Sequence, residues 1–226
     1  MALRNTLVYS ATILPLDLAR ALGLALLINR KLRGMAIFRT VFLLPVICST
    51  VAVALLWGLM LDPYVGLINF VLRLLNLPAQ GWFTDARQAL PLIILMSLWK
   101  GVGYDAALFL AGLQGVSPEL YEVATIDGVT RWRQFRHITL PLLTPTTFFV
   151  ITNALITSIQ VFEYTWILTK GGPQNATTTM VFYIYQQGFQ RLRMGHASAI
   201  AYVLFVVLAI IMIVHWRLQR RWVHYT

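Results

Sequence analysis

An all-α protein that crosses a membrane several times is what this sequence predicts, and three observations carry the prediction. Hydrophobic residues make up 58% of the 226 residues and charged residues only 12%, against about 25% charged in ordinary soluble domains. Five apolar runs, 6–28, 38–61, 89–113, 142–168 and 196–216, reach the roughly 20 residues that a helix needs to cross about 30 Å of hydrocarbon. Lys and Arg, which outnumber Asp and Glu by 18 to 8, gather in short clusters between those runs. That is how topology signals are distributed, whereas a nucleic-acid groove interleaves its basic residues with exposed aromatics, so nucleic acid is excluded as a partner and membrane lipid is expected. One transmembrane domain over 1–226 follows.

The runs differ in kind. The first contains Asp17 and Arg20, three apart on one helical face, where they are expected to neutralise each other as a structural pair. The second has no charged residue after Arg39 and holds the single cysteine, Cys48, which has no internal disulfide partner. After it, "VGLINFVLRLLNLP" over 65–78 has helical amphipathic spacing but is too short to span, so it belongs at the interface. The third run carries Lys100 and Asp105 beside Gly101 and Gly103. Lys100 and Asp105 are too far round the helix to pair easily, which leaves both packing and a polar pathway open. In the fourth, Asn153, Ile156, Gln160 and Glu163 recur at helical spacing as one stripe with polar members, with Tyr164 and Trp166 beside it; such residues either line a path or hold helices together. The fifth is apolar throughout. His137, His196, His215 and His224 show no metal-ligand spacing.

Loop charges set an orientation. Arg30, Lys31, Arg33 and Arg39 follow the first run, Arg131, Arg133 and Arg136 follow the third, and Arg217, Arg220 and Arg221 form the tail. The alternate connections hold only Arg73, Arg87, Lys170, Arg191 and Arg193, so the richer set and the C-terminus are expected in the cytoplasm. Five spans ending inside require Met1 to begin outside with no cleavable signal pattern, an arrangement that suits a chain lacking one helix at its start.

The most polar passage, "ELYEVATIDGVTRWRQFRHITLPLL" at 119–143, falls in that cytoplasmic set. Ser117 is a natural N-cap followed by Pro118 and Glu119 in the first turn. Gly128 suits the left-handed position that ends a helix, and Thr130 suits the cap of a second helix through Phe135 and Ile138. Pro141 marks re-entry into the membrane. Two short helices meeting at a glycine corner would present Tyr121, Ile126, Trp132 and Phe135 as apolar knobs for a partner's groove, with nothing in the loop buried against its own chain.

Glu122, Ala124 and Gly128, then nine residues, then Ile138, Leu140 and Pro141 resemble the "EAA" loop of permease subunits in binding-protein-dependent ABC importers. Val123 departs from the pattern, which has a second alanine there. "ELYEVATIDG", "ITLPLLTPT" and "ILTKGGPQNATTT" look like the carbohydrate-uptake branch, and "NTLVYSATILPLDLARALGLALLI" looks like the second of the family's six helices. The resemblance implies a type I ABC importer transmembrane fold with about five spans present. It implies that the loop 117–141, through Glu122, Ala124, Asp127, Gly128, Ile138, Leu140 and Pro141, is a coupling element docking on an ATPase. The partners implied are a second homologous permease, two ATPases and an extracytoplasmic sugar-binding protein. Asn153, Gln160, Glu163, Tyr164 and Trp166 then become candidates for a sugar path, and Lys170 to Pro173 is either a plain outer turn or, as the resemblance implies, a contact with the binding protein or a gate near the path.

The chain itself is expected to be no enzyme. It contains no Gly-Lys dipeptide and hence no phosphate loop, no H-E-x-x-H and no G-x-S-x-G, so ATP and Mg would be bound by the partner ATPase. The branch handles oligosaccharides, disaccharides, polyols and glycerol-3-phosphate. With only Arg20 and Lys100 near the midplane, a neutral sugar is expected over a phosphate. A non-transporting assembly or sensor subunit is the reading from another class.

Overall fold

The computed structural model describes residues 1–29 and 35–223, without the side chains of Ala36 and Arg221. Arg30, Lys31, Arg33, His224 and the side chain of Arg221, which entered the charge and ligand readings, lie outside the described residues. Within them the chain is helical, with no strand.

The centre of the bundle is a parallel pair, α1 (Ala2–Ile28) and α5 (Ala89–Gln114). Tyr9 donates to Ser97 Oγ at 2.7 Å at one end, while Ala21 and Ala25 pack against Phe109 and Leu113 at the other. Both alanines are fully buried; small side chains let helix backbones approach, which is how helices associate where lipid supplies no hydrophobic drive. A third helix, α9 (Thr144–Ile159), crosses both in the opposite direction. Leu143 and Val150 join the Ala21–Phe109 cluster, and beyond the helix Val161 and Tyr164 join Tyr9, Ile93 and Met96. The last helix, α11 (Met194–Trp222), returns along α9, with His215 stacked on Phe148 at 4.5 Å and Leu204 against Ile159.

Two of the five predicted runs are broken rather than straight. Run 38–61 forms α2 (Met35–Ile47) and α3 (Thr50–Met60), bent by 94°. Pro45 removes one hydrogen-bond donor from the last turn of α2, and Ser49 takes extended geometry, ψ 135°, at the start of α3. The carbonyl of Val46 is met by Lys100 Nζ at 3.4 Å, and α5 presents Gly103 to α2, where any Cβ would overlap the Phe42 carbonyl. Run 142–168 bends by 63° between Arg131–Leu142 and Thr144–Ile159. It then leaves the helix at Gln160 and resumes as a wide turn at Thr165–Thr169, with the Val161 carbonyl accepting from Thr179 Oγ1 at 2.9 Å. Among the described residues, three helices are long and apolar enough to cross a membrane unbroken, and up to five spans result if each bent pair counts as one.

Outside the spans, α4 (Leu67–Leu74) sits in the predicted interfacial stretch. The helix α10 (Met180–Tyr185), prolonged by a wide turn at Gln186–Gln190 and packed on α11, was not foreseen.

Candidate functional site

Where α2 and the fourth run break, α1, α5 and α9 leave a cavity of about 550 Å³. Asn153 comes to its wall from α9, Gln160 from the residue that ends α9, and Glu163 and Tyr164 from beyond the break. The expected stripe on one continuous helix is therefore corrected, since these residues converge because the helix stops. Trp166 is not on the wall; it stacks on Phe162 at 6.0 Å and is 42% exposed.

Sequence spacing missed that the first and third runs share this cavity. Arg20 Nη2 donates to Asp17 Oδ1, the expected ion pair. Asp105 on α5 faces that pair, and Lys100 lies on the same wall. Asp105 is 6% exposed, and its Oδ1 and the Arg20 Nε find no hydrogen-bond partner among the described residues. The signal was present as ionisable residues inside spans, but which spans face each other is a tertiary fact.

At one end of the bundle, α6 (Pro118–Ile126) and α7 (Arg131–Gln134) form the expected corner. Ser117 Oγ accepts from the Glu119 amide at 3.3 Å. Gly128 has φ +73°. Its amide donates to the Thr125 carbonyl and the Val129 amide to the Ala124 carbonyl, at 3.1 and 2.9 Å, which is the pair of bonds of a Schellman motif. Thr130 occupies the cap position of α7 but its side chain makes no cap bond. From Arg131 the chain stays helical through Leu142, by way of a wide turn at Phe135–Thr139 and the short α8 (Leu140–Leu142), so Pro141 sits inside a helix.

The exposed surface of this corner holds Glu122, Asp127, Gly128 and Leu140. Ile138 and Pro141 are half-buried and Ala124 is buried. Ile126 and Trp132 do protrude, at 85% and 68% exposure, with the Phe135 ring tilted against Trp132 at a centroid distance of 5.6 Å. Tyr121 does not: its hydroxyl shares a hydrogen bond with Thr139 Oγ1 at 2.9 Å. With Ala124 buried as well, the expectation that nothing in the loop packs on its own chain is corrected. Val123 is exposed, so the extra methyl groups over alanine meet no wall.

At the other end, the Gly171–Pro173 loop is a built structure. Asn5 Nδ2 donates to the carbonyls of Asn175 and Thr178 at 2.9 and 3.0 Å, and Thr6 Oγ1 accepts from the Met180 amide at 2.9 Å. Gly171 has φ +83°, and a Cβ there would strike Thr178 and Phe182. Among the described residues no His, Cys, Asp and Glu cluster has metal-ligand geometry.

A charged cavity inside a helical bundle, beside an exposed glycine-cornered helix pair, has relatives of known kind. Residues 21–224 match the family described as binding-protein-dependent transport system inner membrane component. The chain belongs to that family. The permease is 34% identical over 221 residues to the arabinooligosaccharides transport system permease protein AraP of Bacillus subtilis, covering 96% of this chain and 71% of that one. It is 32% identical over 225 residues to the sn-glycerol-3-phosphate transport system permease protein UgpA of Agrobacterium fabrum, covering 99% and 76%. It superposes with TM-score 0.90 and 32% identity on a chain of a bacterial alginate ABC transporter, solved in complex with an alginate pentasaccharide-bound periplasmic protein, covering 97% of this chain and 77% of that one. The permease is thus a multi-pass, all-α inner-membrane ABC transporter component.

Proposed function

We propose that the permease is one of two transmembrane subunits of an ATP-driven importer and lines the path of a sugar or oligosaccharide handed over by an extracytoplasmic binding protein. The observation that carries the reading is the cavity of about 550 Å³, whose wall combines the amides of Asn153 and Gln160 with the ring of Tyr164. Amides exchange hydrogen bonds with hydroxyls and ring faces cover the apolar side of a pyranose or furanose, the mixture that small-ligand sites use. Similarity to AraP and to the alginate transporter supports the sugar class.

ATP and Mg belong to two partner ATPases, because this chain carries no phosphate loop. Glu122, Ala124, Asp127, Gly128, Ile138, Leu140 and Pro141 make the docking corner, with Ile126 and Trp132 exposed to enter a groove. The corner and the C-terminus lie on the cytoplasmic side. Similarity to UgpA favours a second reading, import of glycerol-3-phosphate or a polyol.

Reconstitution decides the matter. Proteoliposomes containing this permease with its partner permease, ATPases and binding protein should take up labelled oligosaccharide only with ATP inside. ATP-independent uptake, or an assembly that purifies without any ATPase, overturns the reading.

A further inference from the structure

We infer that Lys100 is the positioning residue of the cavity's broken wall: its ammonium, reaching across from α5, holds the end of α2 and so keeps Val46 and Thr50 in the lining. That this wall guides a solute rests on the cavity being the solute path; the clamp itself does not.

The break is not fixed by its own backbone. The Cys48 amide donates to the Leu44 carbonyl at 3.2 Å, and the Val53 amide to the Ser49 carbonyl at 3.0 Å. Each bond closes one helix on its own side and neither crosses the 94° bend between α2 and α3, so the angle is set from outside the segment. There, Gly103 of α5 admits the Phe42 carbonyl, while Lys100, one turn earlier on α5, reaches the Val46 carbonyl, one turn later on α2. The first contact is steric and seats the body of α2; the second grips its end. Val46 and Thr50, on either side of the bend, line the cavity together with Lys100.

An ammonium inside a span is costly, and a hydroxyl suffices at the other break, where Thr179 donates to the Val161 carbonyl at 2.9 Å. A lysine adds two things that a hydroxyl lacks. Its charge complements the partial negative charge on the last carbonyls of α2, which have no intrahelical donors, and its four-carbon stem reaches from one helix to the next. Among the described residues no carboxylate lies within ion-pair distance of Lys100, so the end of α2 is the negative partner the fold gives it. An ammonium carries three donors, and those not spent on Val46 are left for water or solute in the cavity. The same group therefore touches both the solute space and the break.

The single cysteine supplies the probe, since Cys48 is exposed and lies two residues beyond Val46. In the purified complex, with cysteines removed from the partner chains, a nitroxide on Cys48 should give an immobilised spectrum. Lys100→Met, which keeps an unbranched stem and removes the donors, should replace it with a mobile one, and Lys100→Arg should restore it. A nitroxide on Gln174→Cys in a Cys48→Ala background should be unaffected by Lys100→Met. An unchanged Cys48 spectrum in Lys100→Met, or one that Lys100→Arg leaves mobile, overturns the inference. So does a change of equal size at both labels, because the defect would then be global. In proteoliposomes, ATP-driven uptake of labelled oligosaccharide should be lost in Lys100→Met and return in Lys100→Arg; full uptake by Lys100→Met overturns the inference equally. Spectra as expected with no ATP-driven uptake by the native transporter would instead sink the transport reading alone, so the two failures are distinguishable.

Discussion

Gly128 shows how one residue fixes the angle between two helices. Its φ of +73° is unfavourable for a side chain, while a Cβ built there meets nothing within 4 Å, so the cost of substitution is conformational and not steric. Gly128→Ala should cost about 1 kcal/mol locally and rotate α6 against α7, whereas Gly128→Asn, better tolerated in the left-handed region, should retain more function. Glu122 is exposed on α6, so Glu122→Ala should leave insertion and assembly intact. Gly128→Ala and Glu122→Ala should both lose binding-protein-stimulated ATP hydrolysis and uptake together. Normal coupled hydrolysis in proteoliposomes for both would refute the coupling role.

Asn69 makes a stability case at the same scale. Fully buried, it donates to the carbonyls of Pro63 and Gln80 and accepts from the Gln80 amide and Trp82 Nε1, all at 2.9–3.0 Å. Asn69→Leu strands those partners, at about 1–3 kcal/mol, and should lower the melting temperature in detergent; an unchanged melting temperature would contradict this account.

At the scale of elements, the breaks matter more than the helices. A helix interrupted within a membrane must find partners for the carbonyls it frees, and here Lys100 meets Val46 while Thr179 meets Val161. The α2–α5 contact depends on Gly103, whose missing side chain lets the Phe42 carbonyl approach. Gly103→Ala should therefore push the helices apart, cost about 1–3 kcal/mol and lower the melting temperature. Gly23→Ala in α1, with nothing within 4 Å of its Cβ, should be neutral or slightly stabilising. Equal melting temperatures for the two variants would show that the close approach carries no energy.

For the whole molecule, the parallel α1–α5 pair and the antiparallel α9 and α11 put the α6–α7 corner and the Gly171–Pro173 loop at opposite ends. With the excess of Arg on the corner's side, a cysteine replacing exposed Gln174 should label from outside intact cells, and one replacing exposed Arg133 only after permeabilisation. Reversed labelling would invert the orientation and remove the corner from the ATPase's reach.

The sequence by itself determined what depends on neighbours along the chain. Hydrocarbon-length apolar runs identified the spans, and the Ser117 cap with the Gly128 stop identified the corner, because capping and helix termination act within a few residues. The Asp17–Arg20 pair was legible for the same reason, being one helical turn apart. Only the tertiary structure decided where the runs break and which walls meet: Val46 is relieved by a residue 54 positions away and Val161 by one 18 positions away, and no local pattern announces a donor at that distance. Tyr121 looked free because Thr139, its partner 18 residues on, is brought back by the corner itself. The cavity was invisible for the deepest version of that reason, since Asp17, Asp105 and Asn153 come from three helices and become one site only when small residues such as Ala21 and Gly112 let those helices close together.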